Sequence, residues 1–165
     1  MTERATANLG IAVQAVAFFL AWSSRAVTSN SLSRFTVPTV TRMGLAAILV
    51  LCAASLFVAS RRSLGPQWSI QARTITNHHL ITTGPYGVVR HPIYLALGLF
   101  LAAAGVIAAT WWAFVAAVAL YVVGSRLRIR AEERLLADRF GAEFETYRQR
   151  VPALVPLLLN GRARD

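Results

Sequence analysis

Apolar positions along this chain gather into long runs parted by polar stretches. Residues 9–24, LGIAVQAVAFFLAWSS, form the first run. It falls short of the roughly 20 residues a membrane-crossing helix needs, and extension to Thr6 or Ala26 supplies the difference. A cleaved leader is the rival reading, but Glu3 offsets Arg4 and further apolar runs follow, so a retained anchor is expected. Residues 38–60, PTVTRMGLAAILVLCAASLFVAS, form the second run. Pro38 suits a first helical turn, Arg42 lies near enough to the end to snorkel to an interface, and Arg61 and Arg62 stop the segment. Residues 92–125 carry no charged side chain. At 1.5 Å per residue they make two helices of about 17 residues each, both expected to continue past the bilayer edge at each end. GVIAATWW marks the reversal, with Trp111 and Trp112 as an aromatic belt. Small residues (Ala96, Gly98, Ala102, Gly105 and Ala109 against Ala113, Ala116, Ala117 and Gly124) predict a hairpin whose backbones approach closely.

The polar stretches are as particular as the apolar runs. Residues 61–91 are too long for a simple turn, and Trp68 within them suits an interface. Residues 126–150, RLRIRAEERLLADRFGAEFETYRQR, are amphipathic. Leu127, Ala131, Leu135, Phe140, Phe144 and Tyr147 recur as one stripe, and Gly141 is a candidate break. Residues 151–159 are too short and too Pro-interrupted to count as a span. The pattern predicts an all-α, polytopic helical membrane protein: about four transmembrane helices plus a C-terminal amphipathic cytoplasmic helix. It reads as a single membrane domain over residues 1–165. Residues 1–60 form a two-helix anchor, 61–91 a connecting loop, and 92–156 a helical hairpin with amphipathic helices.

Composition narrows the chemistry. Hydrophobic residues are 56% of the chain and charged ones 15%, with a net charge of +10. All 17 basic residues are arginine. They flank apolar runs as phospholipid anchors do, and no nucleic-acid-binding motif accompanies them, so a bilayer rather than nucleic acid is the expected partner. The single Cys52 permits no disulfide framework within one chain and no metal cluster. No Asp or Glu occurs between Glu3 and Glu132. Apart from the chain ends, carboxylate chemistry is limited to Glu132, Glu133, Asp138, Glu143 and Glu145. Arg61, Arg62, Arg73, Arg90 and the Arg-rich C-terminal region outnumber Arg25 and Arg34. The charge bias therefore places both termini and the 61–91 loop in the cytoplasm.

One stretch stands out. GPYGVVRHPIY, residues 84–94, puts Arg90 and His91 just before Pro92, where a helix begins and its unpaired N–H groups attract anions. Glu132 and Glu133 lie just beyond the partner helix. An antiparallel hairpin brings its ends together, so an Arg-His-Pro-x-Tyr edge faces a Glu-Glu edge across a short gap. That polarity suits a zwitterionic, amino-acid-like ligand.

LITTGPYGVVRHPIY followed by AEERLLADRFGAEFETYRQRVPALVP resembles the isoprenylcysteine carboxyl methyltransferase family, whose wider group includes the membrane phospholipid N-methyltransferases. The resemblance covers about residues 64–156. It implies S-adenosyl-L-methionine as the methyl donor, with S-adenosyl-L-homocysteine as product. It places Tyr86, His91, Pro92, Tyr94, Glu132 and Glu133 in the cofactor pocket, and Arg90, Arg150 and Glu133 at the reacting end, with Arg148 beside them. The chain departs from the pattern at Gly87, where the family often has Arg, and at Ala96, where it commonly has Gly. The acceptor implied is lipophilic, a small molecule or a lipidated chain. A carboxylate acceptor needs no general base and is oriented by a residue such as Arg150. An amine acceptor, as in the phospholipid group, needs a base, for which Glu133 is the candidate. Two plainer readings stand beside these. Glu132 and Glu133 pair with Arg128, Arg130 or Arg134 on a solvated helix face, or the basic face is a non-enzymatic anchor for anionic lipid.

Overall fold

A computed structural model describes residues 3–27, 39–65, 79–108 and 110–154. Arg34, Pro38, Trp68, Arg73, Ala109 and residues 155–159 lie outside them, so the expectations for those positions stand as stated. The described residues form five helices, α1 (Glu3–Val27), α2 (Thr39–Leu64), α3 (Pro92–Ala108), α4 (Trp111–Phe140) and α5 (Ala142–Arg150), and a 3-10 turn at Gly84–Gly87. No strand occurs among them. A helix satisfies its own backbone groups, which is what a segment in hydrocarbon requires.

The two N-terminal runs become α1 and α2, each longer than its run. Arg61 and Arg62 do not end α2, which continues to Leu64. Exposed arginines on a last turn favour the helix C-terminus rather than break it. The reversal falls between the end of α3 at Ala108 and the start of α4 at Trp111, as GVIAATWW indicates. Two expectations fail here. First, α3 does not outrun the apolar segment: it is 17 residues long, from Pro92 to Ala108. Second, the amphipathic region is not a helix of its own: α4 continues past the apolar segment, as expected of this helix, and runs unbroken for 30 residues through Ser125 to Phe140. The break comes at Gly141, whose φ of 49° is a left-handed conformation that favours glycine. Three helices, α1, α2 and α4, are long and apolar enough to cross a membrane, and α3 is a shorter apolar helix.

Helices α1 to α4 run antiparallel in chain order. Glu3 at the start of α1 meets Arg134 near the end of α4 at 2.9 Å. At the opposite end, Arg42 on α2 donates to the Val106 carbonyl at the end of α3 (Nε, 2.9 Å). Arg42 therefore does more than snorkel; it caps a neighbouring helix, where a cation suits the dipole. The hairpin is not the tightest contact. Helix α1 packs along α4 and also touches α3, while α2 packs along α3. The expected close approach of α3 and α4 is replaced by one between α1 and α4. An added Cβ on Gly10 would lie 2.8 Å from the Gly124 carbonyl oxygen, and one on Gly124 2.8 Å from the Gly10 oxygen. Between α3 and α4 the glycines receive aromatic rings instead: Gly105 lies under Phe114 and Gly98 under Tyr121. Ala17 and Ala21 of α1, Leu101 of α3, and Ala117 and Tyr121 of α4 form a buried core. Phe19, Trp22, Val40, Met43, Leu51, Trp111 and Val115 are exposed on the outside. Such an outer surface is disfavoured in water and suited to lipid.

Candidate active site

The end of the bundle that holds the start of α3 carries a dense polar cluster. Pro85 opens the 3-10 turn, and its carbonyl accepts from the amides of Val88 and Val89, both at 3.1 Å. This curl buries Tyr86 and Val89 and delivers Arg90 and His91 to the mouth of α3. Pro92, also buried, starts the helix, where its missing N–H costs nothing.

The two sequence edges meet without a gap. Arg90 Nε and Nη2 reach Glu133 Oε1 at 2.9 and 2.8 Å. His91 Nε2 lies 3.1 Å from the same oxygen, and its Nδ1 lies 3.5 Å from Glu132 Oε2. The Tyr94 hydroxyl donates to Glu132 Oε1. The first and second glutamate are 30% and 19% exposed, so the ring of charges is open on the carboxylate side.

His91 sits between two carboxylates, each facing a different ring nitrogen. Burial pushes its pKa down, but the hydrogen bonds and charges of Glu132 and Glu133 outweigh burial, and the net shift is upward. Only the imidazolium donates from both nitrogens. A group whose folded pKa is raised stabilises fully below its unfolded value, about 6.5 for histidine. That contribution disappears as pH climbs through the higher folded value. Thermal melting in detergent is therefore expected to fall as pH rises above about 6.5. The slope is expected to shrink in His91→Gln; an unchanged slope in the variant would assign the effect elsewhere.

The C-terminal segment closes the cluster. The backbone amides of Arg90 and His91 donate to the carbonyls of Pro152 and Ala153 at 2.8 and 3.0 Å. These two amides lie just ahead of the helix start, and the chain's own residues 152–153 take them. Arg90 Nη1 donates to the carbonyls of Arg148, at 2.9 Å, and of Val151. Tyr147 is more than a stripe residue, since its hydroxyl donates to the Tyr86 carbonyl at 2.7 Å. Burial pushes the Tyr147 phenol up to about 12, so it keeps its proton. Burial, then Glu132 and Tyr147, raise Tyr86 as well.

Of the residues singled out in the sequence, Tyr86, Arg90, His91, Pro92, Tyr94, Glu132 and Glu133 converge. Arg150 is exposed in the last turn of α5 and is not drawn into the cluster. Arg148 contributes its carbonyl, while its side chain pairs with Glu145 at 3.0 Å on the surface. The structure adds Arg128, whose guanidinium carbon lies 5.0 Å from the Tyr94 ring centre. It also adds Tyr121, whose hydroxyl donates to the Tyr94 carbonyl. Arg128 was legible only as a helical neighbour of Glu132, one turn away.

The sequence matches the phospholipid methyltransferase family over residues 41–143. It is 42% identical over 71 residues to methanethiol S-methyltransferase 1 of Bradyrhizobium diazoefficiens, covering 43% of this chain and 24% of that protein. It is 34% identical over 92 residues to protein-S-isoprenylcysteine O-methyltransferase B of Arabidopsis thaliana, covering 54% and 45%. It is 30% identical over 139 residues to the nickel-cobalt-cadmium resistance protein NccN of Alcaligenes xylosoxydans xylosoxydans, covering 83% and 53%. The chain spans between a quarter and about half of the length of these curated relatives. The family match reaches from α2 across α3 into α5 and takes in the whole Arg90–His91–Tyr94–Glu132–Glu133 cluster over more than half of the sequence; this chain belongs to the phospholipid methyltransferase family.

Proposed function

We propose that this chain is a membrane methyltransferase that uses S-adenosyl-L-methionine and methylates a lipophilic acceptor, most simply a carboxylate as in isoprenylcysteine O-methylation. The observation that carries the reading is the cluster itself. Two cations and two carboxylates crowd one end of a bundle whose other buried residues are overwhelmingly apolar. Partly buried charges are costly unless paired or used. The donor's methionyl end carries an ammonium and a carboxylate, and a cluster of both signs fits it. Glu132 and Glu133 would hold the ammonium, with Arg90 and His91 beside the carboxylate and Tyr86, Pro92 and Tyr94 lining the pocket. The donor supplies an activated methyl on a sulfonium.

The chain's own part is to hold, orient and exclude water. A carboxylate acceptor is already ionised at neutral pH and asks for no proton acceptor. Glu133 Oε1 already receives Arg90 and His91, which leaves that oxygen poorly placed as a base and favours the carboxylate over an amine. A thiol acceptor is the second reading, favoured by the likeness to the methanethiol S-methyltransferase. The charge bias orients the cluster to the cytoplasm, and the apolar outer surface lets an acceptor arrive from the bilayer. Arg150, exposed beside the cluster's C-terminal strap, is a candidate to orient it.

Calorimetry of S-adenosylmethionine with the detergent-purified chain tests the reading. Binding is expected for the native chain, and is expected to be lost in His91→Ala and Glu133→Gln. A folded native chain that shows no heat at millimolar ligand would falsify it. Methyl transfer to prenylated carboxylates, aminophospholipids and thiols, compared side by side, then separates the acceptors.

A further inference from the structure

Helix α1 carries one polar side chain deep in its apolar stretch. Gln14 is 5% exposed. A buried amide must find partners, and Gln14 finds two on α4. Its Nε2 donates to Ser125 Oγ at 3.0 Å, and its Oε1 accepts from Arg128 Nη1 at 3.1 Å. One turn earlier on the same face, Gly10 touches the same arginine. A Cβ there would fall 2.5 Å from Arg128 Cγ. Helix α1 thus handles Arg128 twice, with bare backbone against its methylenes and an amide on its guanidinium.

Arg128 is the link to the site. Its guanidinium lies over the Tyr94 ring, and its Nη2 is 4.0 Å from Glu132 Oε1. Tyr94 in turn donates to Glu132. A continuous polar chain therefore runs from Ser125 through Gln14, Arg128 and Tyr94 to a glutamate of the cluster. A free arginine samples many rotamers and loses that freedom when held. The fork geometry of a guanidinium lets a single acceptor choose among them. We propose that Gln14 is a positioning residue for the methyl-donor site, setting Arg128 over Tyr94 and so holding the Tyr94–Glu132 pair in its binding geometry. Its helix lies outside the segment that matches the family. The inference rests on the methyl-donor reading above.

A merely adhesive role for Gln14, joining α1 to α4, predicts the opposite pattern of substitutions. Adhesion tolerates Leu in its effect on binding and suffers from Glu, which puts a carboxylate in an apolar helix. Positioning suffers from Leu and tolerates Glu, which keeps the acceptor for Arg128. The test is calorimetric titration of S-adenosylhomocysteine into the full chain in detergent, with melting followed in parallel. Gln14→Leu is expected to bind about ten-fold more weakly, the factor that matches one lost charge-assisted hydrogen bond. Gln14→Glu is expected to recover most of that loss. Gln14→Met serves in place of Leu should the Leu variant not fold. A native chain that fails to bind overturns the methyl-donor reading and this inference with it. Native binding with Gln14→Leu unaffected, or with Glu no better than Leu, overturns the inference alone.

Discussion

Arg90→Leu is expected to destabilise the folded chain by about 3–5 kcal/mol, the range for leaving a buried charge without its partner. The Arg90 side chain is 10% exposed and makes contacts in three directions. Two of its nitrogens converge on Glu133 Oε1. The third donates to the carbonyls of Arg148 and Val151, at and just past the end of α5. Leucine would leave Glu133, 19% exposed, with His91 alone and would uncap a helix C-terminus at once. That partial exposure lets water soften the loss, so the lower end of the range is the better guide. Arg90→Lys separates charge from shape, since lysine restores the cation but not the fork. It is expected to fall between the native chain and the Leu variant. Melting in detergent, with proteolysis of the C-terminal segment as a local probe, reads both. Should Leu melt with the native chain, the guanidinium is not what joins α5 to the mouth of α3.

The second large effect concerns a residue without a side chain. Gly124→Ala is expected to cost about 1–3 kcal/mol, the usual penalty for overpacking a close contact. The added Cβ would sit 2.8 Å from the Gly10 carbonyl, 2.9 Å from Gln14 Cγ and 3.1 Å from the Gln14 amide nitrogen. Two of those three atoms are backbone, so relief requires the helices to part. Gly44→Ala is the matched control, since a Cβ there meets nothing within 4 Å. Alanine is the better helix former, so that variant is expected to melt at or above the native temperature. Equal melting of the two variants would show that the α1–α4 crossing is looser than the structure has it.

Much of the architecture was legible because hydrophobic runs and helix lengths are local properties. The reversal before Trp111 and the break at Gly141 both follow from residue type and spacing. The convergence of Arg90 and His91 with Glu132 and Glu133 was legible too, because a hairpin brings its ends together whatever its detailed packing. Helix partnership was not. Gly98, Gly105 and Gly124 look alike along the chain, yet two receive rings from the hairpin partner and one receives the backbone of α1. Small residues announce close contact without naming the contact. Gln14 was a readable signal, a lone amide in an apolar run, but its partner lies 114 residues away. The use of Pro152 and Ala153 as acceptors was invisible for a different reason. Backbone carbonyls carry no side-chain signature.

Those two carbonyls have a consequence for how the protein is made. Arg90 reaches Val151 across 61 residues of chain, and the amides of Arg90 and His91 close onto residues 152 and 153. Synthesis delivers α1 to α4 first, one after another. Throughout that interval the mouth of α3 holds unpaired amides and a guanidinium lacking its C-terminal acceptors. The site becomes complete only when the polypeptide has been translated through Ala153. Helix formation and assembly of the polar cluster are thus separated in time, and a nascent chain whose four helices are made does not yet hold the finished cluster.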